Sequence, residues 1–447
     1  MSEYTKQMML FKEISGKKVE VDFDGGDVSS DAGVLFLKET ESSIGIINKV
    51  AKAIGDKRHQ SYVKHKIVHL LTQRVFQIAS GYEDGNDCNE LRNDPIFKMS
   101  CDRLPTSDEP LASQPTMCRF ENGLSRTTLY RIAQVILDAF IQSYDQAPEG
   151  IILDIDDTAD STYGSQQLTL FNAYHDCSCY LPVHIYEGKS GKLITTILRP
   201  GKRPSGKEIL SILKRIVKRI RQAWPEVGIL VRGDDYYGAP EVYDFCDAHN
   251  LKFTFGFKPY KPLLKKADAL IAQAKELYQL NHEPVKLYGE FLHQAGSWSA
   301  ANRIIVKAEY NHRGANTRFI VTNLQEAYRK FIYETVYCGR GATELMIKEH
   351  KTHLASDRTS CSTFAANQFR LFLHSIAYIL LQTFREKHLK ATEFAKAQFN
   401  TIQRKLIKVG ARVRQLTTKI KVHLPGSFPL KKDYLKVYHS CYQAVFS

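Results

Sequence analysis

Two short apolar runs, each ending in paired acids, constrain this chain more than any other feature. They are Ile151-Ile152-Leu153-Asp154-Ile155-Asp156-Asp157 and Ile229-Leu230-Val231-Arg232-Gly233-Asp234-Asp235. Apolar runs this short, bounded by polar residues, read as buried strands. Between them, Gly206 to Trp224 is amphipathic at helical spacing. Ile209, Leu213, Ile216, Ile220 and Trp224 share one face, and Lys214, Arg215, Lys218, Arg219 and Arg221 the other. In an open α/β sheet, active sites gather where strands emerge, which is where both runs place their acids.

The surrounding pattern fills in a sheet. Tyr180 to Tyr186 and Lys192 to Leu198 read as strands joined by the turn Glu187 to Gly191. A helix over Ala239 to His249 and a strand over Lys252 to Phe257 follow the second acid run. Three antiparallel strands, a helix, then strands alternating with helices is the order of an α/β RNase H-like mixed-sheet core. Lys258 to Asn323 interrupts it with a helix, Pro262 to Tyr278, and strands near Val285 to Leu292, Arg303 to Glu309 and Arg318 to Thr322. The core resumes with helices over Tyr337 to His350 and Thr363 to Phe384. Before the core the chain reads as mostly helical, with a helical period in Tyr62 to Ile78 and again from Thr127 to Tyr144. The polar link Asp145 to Gly150 is the expected boundary. The expected layout is residues 1–148 a helical domain, 149–257 first part of the core, 258–330 a β-rich insertion, 331–384 second part of the core, and 385–447 a basic helical tail. A length of 447 residues suits two to four domains.

Composition excludes several classes. No run of 18 or more apolar residues occurs, so no membrane-spanning helix is expected. The first residues lack the basic-then-apolar pattern of a secretion signal, so a cytoplasmic protein is expected. Nine cysteines without a paired-spacing framework suit a reducing compartment, and Cys177-Ser178-Cys179 lacks a second ligand pair, so structural cysteines are expected. The formal net charge is +14, and its placement is informative: Arg385 to Ser447 holds fourteen Lys and Arg against three Asp and Glu, and Arg199 to Arg221 nine against one. Such clusters are the electrostatic footprint of a polyanion partner.

The acids define candidate chemistry. On a strand, Asp154 and Asp156 share a face and Asp157 points the other way. Neighbouring carboxylates repel unless a cation or proton offsets their charge. A third element has tighter spacing: Tyr337, Arg340, Glu344 and Lys351 follow Y-x2-R-x3-E-x6-K, which on a regular helix forms one stripe. A carboxylate between Arg and Lys on one face suits a metal ligand beside a bound phosphate.

With these residues the sequence resembles the DDE transposases of bacterial insertion sequences, in the branch carrying the Y-x2-R-x3-E-x6-K signature. Leu153 to Thr158 is similar to the first-acid motif and Arg232 to Tyr237 to the second. Asn172 to Pro182, Gln73 to Asp94 and Ser113 to Asn122 also resemble segments of that group. The resemblance implies catalytic, metal-binding Asp156, Asp234 and Glu344, with Asp154 the competing first acid and Asp235 the weaker second. It further implies phosphate or DNA contacts from Tyr337, Arg340 and Lys351. Tyr236-Tyr237 departs from the Gly-Phe common in relatives, and Trp298 reads either as a core residue or as an aromatic stacking on a flipped base.

The implied reaction uses two Mg²⁺ (or Mn²⁺) ions about 3.5–4 Å apart. Water cuts DNA at the element's terminal inverted repeats, and the freed 3′-OH then attacks target DNA. Two element ends imply a homodimer on DNA. The alternative from another class is a haloacid-dehalogenase-like Mg-dependent phosphatase built on Asp154-x-Asp156-x-Thr158, with Asp154 as nucleophile.

Overall fold

The computed structural model describes residues 9–446. The chain divides into two compact units. Among the described residues, one comprises the stretches up to 51, 55–120 and from 380 on, and the other residues 52–54 and 121–379.

The larger unit is built on an eight-stranded mixed sheet. In chain order its strands are β1 (Gly150–Asp157), β2 (Val183–Glu187), β3 (Leu193–Ile197), β4 (Gly228–Gly233), β5 (Lys252–Phe257), β6 (Val285–His293), β7 (Asn302–Asn311) and β8 (Gly314–Thr322). Across the sheet they run β6-β7-β8-β5-β4-β1-β2-β3. β1, β4 and β5 are parallel at the centre; every other pair is antiparallel. The central strands are apolar along their length because both sheet faces are covered. Ile151, Leu153, Ile155, Ile229 and Val231 pack with Ile209, Leu213, Ile216 and Ile220 of the Gly206–Ala223 helix. That helix begins at a capping box, in which the Ser205 hydroxyl accepts from the Glu208 amide and the Glu208 carboxylate accepts from the Ser205 amide.

The stretch expected as an inserted β-rich segment does form three long strands, and they extend the same sheet: β8 pairs with β5 from Thr254↔Thr322 to Phe257↔Phe319. The Lys261–Asn281 helix packs on β6 and β7.

The smaller unit draws on both ends of the chain. Val28–Ser29 pairs with β9 (Ala411–Gln415), which pairs with β10 (Ile420–His423). Helices Val34–Ile44, Ile67–Ala79 and Pro95–Ser100 belong to it, with a hairpin of Met9–Ile14 and Lys17–Val21. Gly33 is where two backbones meet: a Cβ there would lie 2.0 Å from the Leu406 carbonyl oxygen.

The compact units divide near residues 120 and 380, and the Arg126–Gln142 helix packs its Leu137 and Phe140 into the core of the larger unit. The basic tail contains a strand pair, because Ala411-Arg412-Val413-Arg414 alternates apolar and charged with the period of a strand.

Candidate active site

Parallel pairing sets the first two acids side by side. Arg232 is in register with Asp154 and Gly233 with Ile155, so Asp156 and Asp234 each come one residue later, at neighbouring strand ends. Burial pushes the Asp156 carboxyl up to about 7; Arg340 works against this, while Asp234 and Asp157 add to it. Asp234 is raised by burial too, with the charges of Asp235 and Asp157 adding to it, and its Oδ1 accepts from the Tyr236 amide at 2.8 Å. Two desolvated carboxylates, both held towards protonation by burial and by neighbouring acids, are what a divalent cation would relieve.

The signature segment wraps over this edge, but not as one regular helix. Ile332–Tyr337 winds as a π-turn, Cys338–Gly341 as a 3₁₀ turn, Ala342–Lys348 as α-helix and Glu349–His353 as a second π-turn. Gly339 and Gly341 interrupt it, and π-turns inside helices cluster at functional sites. The single stripe expected from regular spacing is therefore redistributed. Arg340 donates to Asp156 Oδ2 at 2.9 Å. Lys351 donates to Thr158 Oγ1 at 3.0 Å and to the Ala159 carbonyl, on the stretch following the first acid. Tyr337 lines a cavity of about 220 Å³ with Asp235, Lys258 and Arg318. Glu344 is exposed. Its neighbour Thr343 is buried and donates to Asp154 Oδ2 at 3.1 Å. Among the described residues, no three His, Cys, Asp or Glu side chains come close enough together to hold a metal ion. The structure brings Asp156, Asp234 and Arg340 together and leaves Glu344 on the adjoining turn, outside any such cluster.

Asp154, the competing first acid, is fully buried and committed elsewhere. Arg232 grips both its oxygens, Nη2 to Oδ2 at 2.6 Å and Nε to Oδ1, and Arg232 Nη1 donates to the Val336 carbonyl. With Thr343 on the same carboxylate, Asp154 is held by three donors and is shut off from solvent. That corrects its candidacy as a ligand and removes the nucleophile that the phosphatase alternative requires. Trp298 has two readings, of which burial favours the core one. It is 7% exposed and packs in the core edge-on to Tyr243, with ring centroids 5.4 Å apart, so it offers no face to a base.

Several residues escaped the sequence reading. Tyr237, buried, donates to Asp157 Oδ2 at 2.7 Å, and Tyr236 lies beneath Arg203 and Lys258. The departure at Tyr236-Tyr237 thus fixes the acid on the opposite face of β1. Behind Asp156, its register partner His184 lies in a buried network with Tyr186 and His350. Arg232 was signalled by a lone charge inside an apolar strand, which must find a partner.

Half-buried acids at neighbouring strand ends, with an arginine and a lysine beside them, can bind a cation and a phosphate together, the equipment of an enzyme that acts on phosphodiesters. The chain belongs to the family described as Transposase DDE domain group 1, matched over residues 11–445. It is a DNA transposase, an enzyme of the polynucleotidyl-transferase type. DDE transposases generally use divalent metal ions, and the family implies DNA as partner. Among solved structures the chain is similar to the piggyBac transposase in its synaptic complex with hairpin DNA, at 11% identity, covering 85% of this chain and 79% of that one, with a TM-score of 0.42. That likeness is too remote to assign a role to any residue. No curated protein matches the chain. Nothing in these comparisons supports a phosphatase. No helix among the described residues is long and apolar enough to cross a membrane.

Proposed function

We propose that the transposase cuts the ends of a bacterial insertion sequence and joins them to target DNA through Asp156, Asp234 and Glu344. The observation carrying this reading is the placement of Asp156 and Asp234 at adjacent parallel strand ends, with Arg340 on Asp156. The strand order supports an RNase H-like core: β1 to β3 antiparallel, a helix, then β4 and β5 alternating with helices, extended by the β6–β8 segment. Residues 1–148 are assigned to recognition of the terminal inverted repeats, with two protomers on paired ends in the cytoplasm.

The donor set suits divalent cations. Asp156 and Asp234 are the desolvated pair, and Glu344 is the acid supplied by the turn that Thr343 ties to β1. Two Mg²⁺ or Mn²⁺ held by these three side chains would supply Lewis acidity to the attacking and leaving oxygens. The protein's own part is positional. Arg340 and Lys351, beside the first acid, orient phosphate oxygens, and Tyr337 closes the side next to Asp235. In the first step a water oxygen forms a bond to phosphorus as the 3′ oxygen leaves and gains a proton. In the second, that 3′-OH loses its proton, bonds to a target phosphorus in line, and displaces a target 3′ oxygen. No covalent link to the protein forms.

The test is strand transfer by purified protein on labelled DNA carrying the flanks of its own gene. Asp156→Asn, Asp234→Asn and Glu344→Gln should each abolish cleavage and joining while leaving DNA binding intact. Full joining activity in Glu344→Gln would sink the three-acid assignment.

A further inference from the structure

The basic tail holds a surface that the active site does not use. In the smaller unit, β9 and β10 form a sheet with Val28–Ser29 whose two faces differ sharply. Ala411 and Val413 point inward and are buried, Ala411 packed with Ala32, Val409, Val422 and Tyr434. Arg412, Arg414, Lys421 and His423 point outward, all exposed, with Lys419 exposed in the connecting turn. Antiparallel register sets Arg414 directly opposite Lys421 and Arg412 opposite His423. Like charges facing each other across a strand pair destabilise it. A sheet that needed only to fold would place acids there.

No acid answers these charges. Arg412, Arg414, Lys419 and Lys421 have no ion-pair partner among the described residues. Asp27, whose backbone carbonyl accepts from the Val413 amide, turns its carboxylate to the Thr106 hydroxyl at 3.0 Å. Some of the neighbouring and clustered basic residues are occupied. Lys408 lies 3.8 Å from Asp31 and over the Tyr82 ring. In the cluster from Arg199 to Arg221, Arg199 pairs with Glu208, Arg219 with Asp138, and Arg221 donates to the Pro225 and Val227 carbonyls. Charge density drew attention to both clusters; pairing separates them. The 199–221 cluster is partly consumed by the fold, whereas the β9–β10 face is left for an outside polyanion.

We infer that the outward face of β9–β10 is a DNA-binding site that grips the phosphate backbone of duplex DNA without reading its sequence, through Arg412, Arg414, Lys419 and Lys421. The proposal rests on the DNA-transposase reading and adds a site to it. The side chains stand on a pleated surface, alternate residues about 6.6–6.8 Å apart along each strand. Each phosphate they neutralise releases condensed counterions, which makes the contact steeply salt-dependent.

The experiment measures binding of the full-length protein to a random-sequence duplex across a salt series. Arg414→Gln/Lys421→Gln removes two facing cations, and log K against log[salt] should become shallower by about 1.8. Lys265→Gln/Lys275→Gln removes the same charge from the exposed side of the Lys261–Asn281 helix and should leave the slope unchanged. Arg414→Glu separates binding from folding: it places a carboxylate opposite Lys421, so it should raise the melting temperature while weakening DNA binding. An unchanged slope in the hairpin double variant, equal slopes in the two double variants, or a lowered melting temperature in Arg414→Glu would each overturn the proposal. If the unaltered protein bound duplex DNA with no salt dependence, the DNA-transposase reading itself would fail, and that result cannot be confused with the others.

Discussion

Replacing Arg232 with methionine tests the buried centre of the larger unit. Arg232 is 3% exposed and its partner Asp154 is fully buried, so water cannot compensate when the guanidinium is lost. Removing one member of a buried pair costs about 3–5 kcal/mol, because the remaining charge must stay unpaired or take up a proton. The lost hydrogen bond to the Val336 carbonyl adds about 1 kcal/mol. Replacing both partners, as Asp154→Leu/Arg232→Met, removes the buried charge altogether and should recover most of the loss. Only Thr343 and Val336 are then left without their partners, at about 1 kcal/mol each. The assay is urea unfolding followed by tryptophan fluorescence. Both tryptophans, Trp224 and Trp298, are buried in the core of this unit, so the signal reports on it directly. A loss below about 1 kcal/mol in Arg232→Met, or a double variant no more stable than the single, would refute the reasoning. Because the pair also anchors Thr343 and the Val336 turn, the single variant should lose strand transfer even where it remains folded.

Three other outcomes follow from the packing. Trp298→Ala should cost about 3–5 kcal/mol in the same unfolding assay while DNA affinity of the folded protein stays unchanged, since the ring is core. Gly33→Ala forces a methyl group into the Leu406 carbonyl and should lower stability of the smaller unit by about 3 kcal/mol, read by thermal unfolding. Glu41 is buried, its Oε1 accepting from the Ile47 amide, and burial raises its carboxyl from 4.5 to about 7. The folded state therefore holds the proton more tightly than the unfolded state. The stability from this group is fully present below pH 4.5 and is lost as pH rises through about 7, a change on the order of 3 kcal/mol. Glu41→Gln should flatten the stability profile in that window, and an unaltered profile would discount Glu41 as its source.

Local pattern made the sheet legible. Lys252–Phe257 and the acid-tipped strands β1 and β4 announce themselves because burial on both faces demands unbroken apolar runs, and the neighbouring placement of Asp156 and Asp234 follows from their parallel register. What pattern could not convey depends on partners far along the chain. The lone charge of Arg232 calls for a buried partner, but nothing near it says that the partner is Asp154, and the contacts of Val336 and Thr343 beside Glu344 join segments far apart in the chain. Trp298 sits in a segment whose pattern fits base stacking and core packing alike until β5 is seen beside it. The strand alternation of Ala411 to Gln415 was present in the sequence but was outweighed by the tail's charge.

The pairing of Ser29 with Ala411 has a consequence for how this protein is made. During synthesis the Val28–Ser29 strand must wait for Ala411 to emerge before its partner exists, and closing so long a loop is entropically slow to begin. A polypeptide that stops short of residue 411 can complete the larger sheet yet never close the sheet to which Ser29 belongs. Interrupted translation would therefore yield chains that carry both aspartates and Glu344 without the β9–β10 face, and a ribosome that finishes late delays the basic surface more than it delays the acids.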